Sequence, residues 1–275
     1  MCLCGAFSRH LIEGNTWLHH GVELRSDEPH EEQNMILADV RHRLSRDDAQ
    51  LAMRLIARGE AREMERCEEM LRDQGIDVLL DDPRLLTALL TAPRGAHASF
   101  TLFAYVAVRH ALREVGEDSR ALADYVAAVL VAFGEQGRAE RLGISDDEQY
   151  TTLGELIEDA NDTDPRRSFL VRAHLGNYAL WKSGLFPDFI EHRRWRKGGP
   201  DIGYYDEMGK RGFQLAADHR LAELHGLRAL YITAASRFEV LRAALNNLSD
   251  RLLFPHVHTP ERLMRQVATG ALLIQ

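Results

Sequence analysis

The sequence predicts an all-α protein: an irregular bundle of roughly nine to ten helices around a buried central helix at about residues 100–113. Three observations carry this. Residues that cap helix N-termini recur along the chain, apolar residues between them keep 3.6-residue spacing, and glycine or proline follows where the spacing ends. No long stretch alternates apolar and polar residues as a strand would, and the short Ile76–Leu80 run fits either strand or helix.

Taken in order, Ser45 with Asp48 predicts the cap of one long helix reaching about Asp73, before Gly75. Ala49, Ala52 and Ile56, then Met64, Cys67 and Leu71, keep helical register on either side of Gly59. The second half of this helix is densely charged, with Glu68 and Arg72 spaced for an (i, i+4) pair. Asp82-Pro83 is a cap followed by a first-turn proline; it introduces Leu85–Leu90, and Pro93 and Gly95 end that helix. Ser99 opens Phe100–Arg113, where Phe100, Leu102, Phe103, Tyr105, Val106 and Val108 leave almost no polar side. A helix apolar all round is buried in the centre of a large helical domain. Further helices are predicted over Arg120–Phe133, after a Ser145/Glu148 capping box, and from Asp164-Pro165 to Ser183. Pro187–Lys197, Tyr204–His225, Leu227–Asn247 and a last helix from Thr259-Pro260 to about Leu273 complete the series. The chain divides into residues 1–75, an N-terminal extension with one long charged helix, and 76–275, the main helical domain; a single domain overall is the alternative.

At 275 residues the chain buries roughly three quarters of its unfolded surface and needs no metal or disulfide staple. An apolar fraction of 45% with 28% charged residues excludes a disordered, collagen-like or membrane-embedded chain. The net charge of −8 argues against a nucleic-acid-binding role, because such domains are usually basic. The cysteines, Cys2, Cys4 and Cys67, make no disulfide framework and point to a reducing, cytoplasmic setting. Met1–Phe7 has no cationic region before its short apolar run, so no signal peptide is expected, and no stretch has the ~20 apolar residues of a membrane span. Lysine occurs at Lys182, Lys197 and Lys210 alone, which leaves few candidates for lysine-based covalent chemistry.

Thirteen histidines invite a search for metal motifs, and none emerges. No glutamate precedes a histidine by three residues, as a di-iron bundle requires. Asp27/His30, Asp39/His42, His19-His20 and His256/His258 lack a recognisable third ligand. Phosphate loops and the Gly-x-Ser-x-Gly elbow are also missing. The expectation is therefore no metal and no cofactor.

The most unusual segment is 186–219. His192-Arg193-Arg194-Trp195-Arg196-Lys197 concentrates positive charge around a tryptophan, a Gly198-Gly199-Pro200-Asp201 turn follows, and Tyr204-Tyr205 enters the next helix. Guanidinium groups beside a helix N-terminus favour an anion. Arg193, Arg194, Trp195, Arg196, Lys197, Tyr204 and Tyr205 are the candidate binding residues. The expected function is an interaction or regulatory module whose partner is a protein, a second copy of the chain, or an anionic small molecule; neither nucleic acid nor membrane is expected. The alternative is a hydrolase or transferase with an internal pocket built from His174, Tyr178, Asp206 and His219. His174, Tyr178 and Trp181 share one helical stripe with Asn177 beside it, and such polar groups in an apolar helix either converge on a pocket or satisfy one another. Gly209 and Gly212 in one helix predict close helix–helix approach.

Overall fold

The computed structural model describes residues 34–143, 149–162, 164–255, 259 and 262. Among them the chain forms 13 α-helices and no strand. These are α1 (Arg46–Ala57), α2 (Ala61–Gln74), α3 (Asp77–Leu80), α4 (Pro83–Thr91), α5 (Phe100–Glu114), α6 (Arg120–Gly134) and α7 (Leu153–Asp159). They continue as α8 (Pro165–Leu185), α9 (Pro187–Lys197), α10 (Ile202–Ala217), α11 (Arg220–Leu224), α12 (Arg228–Ser236) and α13 (Phe238–Leu248).

The helix starts follow the cap chemistry. Ser45 and Asp48 bond reciprocally, side chain to backbone, at the head of α1. The Asp82 and Asp164 carboxylates accept from the N–H groups of Arg84 and Arg166, each beside a first-turn proline. Ser99 and Ser119 cap α5 and α6 in the same way. The Ser145/Glu148 box and most of the predicted 259–273 helix lie outside the described residues; a Thr152/Glu155 box opens α7.

The helix count is higher than predicted because three predicted helices are interrupted and a further short one forms at Asp77–Leu80. The predicted long helix over 45–73 is two helices, α1 and α2. Arg58 and Gly59 take φ of 52° and 91°, a left-handed exit that a continuing helix cannot accommodate. The predicted Tyr204–His225 helix stops after Ala217, where extended His219 restarts the chain by accepting the Leu221 N–H on Nδ1 at 3.2 Å. Leu227–Asn247 divides at Arg237, whose backbone (φ −104°, ψ 11°) leaves the helical region. Ile76–Leu80 resolves as the single turn of α3.

The predicted central helix is α5, buried at nearly every position from Leu102 to Leu112. Beside it α6 is buried from Leu122 to Gly134, so the core is built on this packed pair. Residues from the N-terminal part, among them Ile36, Val40, Leu55, Ile56 and Cys67, join the same cluster. A second close pair, α8 with α10, depends on missing side chains. A Cβ on Gly212 would sit 2.6 Å from the Gly176 nitrogen, and one on Gly209 would strike the Phe238 ring at 2.2 Å. Close approach is thus the reason for both helical glycines.

Most polar groups inside these helices find partners within the fold; among the described residues the Tyr105 hydroxyl and Arg109 Nη1 do not. Arg109 meets Asp81 and Asp118, each at 2.7 Å, and the Asp124 carboxylate accepts the Arg41 N–H at 2.9 Å. The Tyr125 hydroxyl donates to Asn177 Oδ1 at 2.7 Å. At the end of α8 the orphan carbonyls of Ser183 and Gly184 accept from Asn246 Nδ2, and that of Leu185 accepts from Ser249 Oγ at 2.7 Å.

Candidate functional site

Two consecutive helices hold most of the candidate residues, and they dispose of them in opposite ways. In α8, His174 is buried against Phe133, with ring centroids 5.2 Å apart, and its Nε2 lies 3.0 Å from the Ala139 carbonyl oxygen. A carbonyl only accepts, so Nε2 carries the proton. Burial holds the imidazole neutral and pulls its pKa down to about 4, against an opposing contribution from that hydrogen bond. Tyr178 stacks on His174 at 6.3 Å and donates its hydroxyl to the Thr151 carbonyl at 2.9 Å. Burial raises the Tyr178 pKa, so the phenol stays protonated. Trp181 packs edge-on against Phe133.

Asp206 and His219 are placed elsewhere. Asp206 accepts from Arg242 Nε at 2.7 Å; burial raises its pKa, and Arg242 acts in the opposite sense. His219 caps α11 and stacks on Phe169 at 5.3 Å, its pKa lowered by partial burial. A narrow recess borders His174, and neither Tyr178, Asp206 nor His219 lines it. The geometry therefore brings His174 and Tyr178 together and leaves Asp206 and His219 apart from them.

The basic segment behaves differently. It is the C-terminal half of α9, a helix that buries only Pro187 and Ile190. With 3.6 residues per turn, His192 and Arg196 face away from that contact, flanked by Phe189 on one side and Trp195 on the other. Trp195 is 76% exposed and Phe189 55%, and Arg193, Arg194, Arg196 and Lys197 are all exposed. Their one ion pair among the described residues is Arg194 with Asp201, at 4.0 Å. Gly198 ends α9 at φ 65°, and the Asp201 carboxylate accepts from the Tyr204 N–H to start α10. Tyr204 is half-buried and Tyr205 buried, so this pair anchors the turn beneath α9 and offers little free surface. Lys182, at the base of α9, extends over the Tyr178 and Phe189 rings at 5.3 and 6.0 Å, and burial lowers its pKa.

No family model, curated protein or solved structure matches the chain. The site must therefore be judged on its own chemistry. Among the described residues no three His, Cys, Asp or Glu side chains cluster as metal ligands, and no helix is long and apolar enough to cross a membrane. Cys67 is free and buried, while Cys2, Cys4, His19, His20 and His256 lie outside the described residues. Phe189 lies one turn before the basic cluster, whereas Lys182 sits about three turns before it in the preceding helix, too far for the sequence to mark it as a neighbour. Sequence inspection also missed Arg138, which follows Gly137 in a short turn whose sequence carries no burial pattern.

Proposed function

We propose that the chain is an interaction module with a regulatory role, engaging an acidic protein partner through the outward face of α9. The observation that carries this is the exposure of Trp195 amid four cations that have almost no counter-charge of their own. Tryptophan and arginine are the side chains most enriched at binding hot spots: one supplies area, the other a directional charge-assisted hydrogen bond. At 76% exposure Trp195 adds little to the isolated fold. The cations stand out from a chain of net charge −8, so the surface favours a partner that presents an acidic patch to α9 and little else. Cysteine usage fits a reducing, cytoplasmic setting.

The test is capture by the immobilised full chain, with bound proteins quantified by mass spectrometry. Partners of the α9 face should be depleted by Trp195→Ala and again by half-molar salt, which shortens the screening length to a few ångströms. Duplex DNA retained in their place would reassign the surface to nucleic acid. A bound set indifferent to both treatments contradicts the proposal.

A further inference from the structure

Three arginines are buried among the described residues, and one lacks what the others have. The charge of Arg109 is paired with Asp81 and Asp118, and that of Arg262 with Asp250 at 2.9 Å. Arg138 is 5% exposed and meets no carboxylate among the described residues. Its Nη2 donates to the carbonyls of Asn34 and Leu142, both at 2.5 Å, and its buried Nε has no partner. Burial pulls its pKa down with no acid opposing it, yet a guanidinium stays protonated. Folded chains pair such charges, because a buried charge left alone is strongly destabilising.

Arg138 lines a narrow recess of about 10 Å³ together with His174, Asn177 and Tyr231. That is room for roughly one oxygen-sized atom. His174 is neutral there, so the guanidinium is the one charge lining the space among the described residues. Asn34, Met35, Leu142, Phe169 and Leu170 wall this space, and the same five wall an open cleft of about 280 Å³ that also reaches Leu221.

We propose that this is a ligand site for a monocarboxylate with an apolar tail. One carboxylate oxygen accepts from Arg138 Nε–H in the inner space, and the hydrocarbon lies along Met35, Leu142, Leu170 and Leu221. Both Nη2 protons are already engaged, which closes the Nε/Nη2 fork to a bidentate carboxylate and leaves a single charge-assisted bond from Nε. The inner space is too small for a phosphate group, and a lone buried cation compensates one negative charge rather than two. The outer cleft sets Met35, Leu142, Phe169, Leu170 and Leu221 beside Asn34, Asp164, Arg166, Arg167 and His225, and the apolar side chains suit a tail.

Calorimetric titration and thermal unfolding of the full chain with sodium octanoate test this, with 1-octanol and inorganic phosphate as matched probes. Octanoate should bind saturably and raise the melting temperature, and neither control should do so comparably. Arg138→Met should weaken octanoate by roughly 10- to 100-fold, the worth of a hydrogen bond to a charged group. Leu170→Trp fills the outer cleft while leaving the guanidinium in place; it should also weaken octanoate, and it serves if Arg138→Met does not fold. The α9 variants should bind octanoate like the parent. Equal binding of octanol, stronger binding of phosphate, undiminished binding to both cleft variants, or no octanoate binding to the parent would overturn the proposal.

Discussion

Helices α8 and α9 are neighbours in the chain, joined at Phe186-Pro187, and both are rich in polar side chains. They use them oppositely. In α8, His174, Asn177, Tyr178 and Ser183 are buried, and each holds a hydrogen bond to a carbonyl or a side chain inside the fold. In α9 the guanidinium groups and the indole of Trp195 stand in solvent with one long ion pair between them. Polar residues in a helix are therefore no guide to function until their partners are counted. Hydrogen-bonding capacity spent inside the fold maintains it, and capacity left over at the surface is available to something else.

Substitutions can break or sharpen that contrast. The largest effect is expected from Leu180→Asp in α8, which places an unpaired charge at a fully buried position. It should cost about 4 kcal/mol or more and leave the protein largely insoluble, whereas Trp195→Asp in α9 should melt like the parent. A pH effect follows in size. The folded pKa of His174 lies at about 4, below its unfolded value of 6.5. The unfolded chain therefore takes up the proton first as pH falls. The stability this residue contributes is complete above pH 6.5 and is lost progressively down to about pH 4, by about 3 kcal/mol in all. In His174→Gln, which keeps an N–H donor for Ala139, denaturant titrations should show a flatter pH profile across that window. Gly212→Ala should cost about 1–3 kcal/mol, because the new methyl meets the α8 backbone and must push the helices apart. A variant as stable as the parent would show that α8 and α10 are less closely apposed.

Much of the scaffold is legible in the sequence because caps act locally. Ser45, Asp82, Ser99 and Asp164 each announce a helix through a side chain that reaches its own next turn. The apolar surround of Phe100–Arg113 places α5 in the interior with equal directness. The interruptions are not legible. The apolar spacing of α1 resumes beyond Gly59 as if no break intervened, and His219 performs a capping role that serine, threonine, aspartate and asparagine usually take. The candidate residues divide in the same way. The basic run 193–197 is visible as composition, and its exposure follows from the few apolar residues in α9. The partners of His174, Tyr178 and Asp206 lie far away in sequence, so only the fold shows that these groups are satisfied. Arg138 is the extreme case: nothing near it in sequence distinguishes it from the surface arginines.

The smallest expected change in stability goes with the largest expected change in binding, and one comparison measures both. Arg193, Arg194 and Arg196 are replaced together by glutamine, which keeps length and polarity while removing three charges. Exposed ion pairs contribute little, so the triple variant should unfold within about 0.5 kcal/mol of the parent. Its recovery of the partners captured by the parent should fall sharply. A triple variant that melts like the parent and still captures the same proteins would contradict the account, as would one that unfolds several kcal/mol more easily, which would make α9 part of the fold's own support.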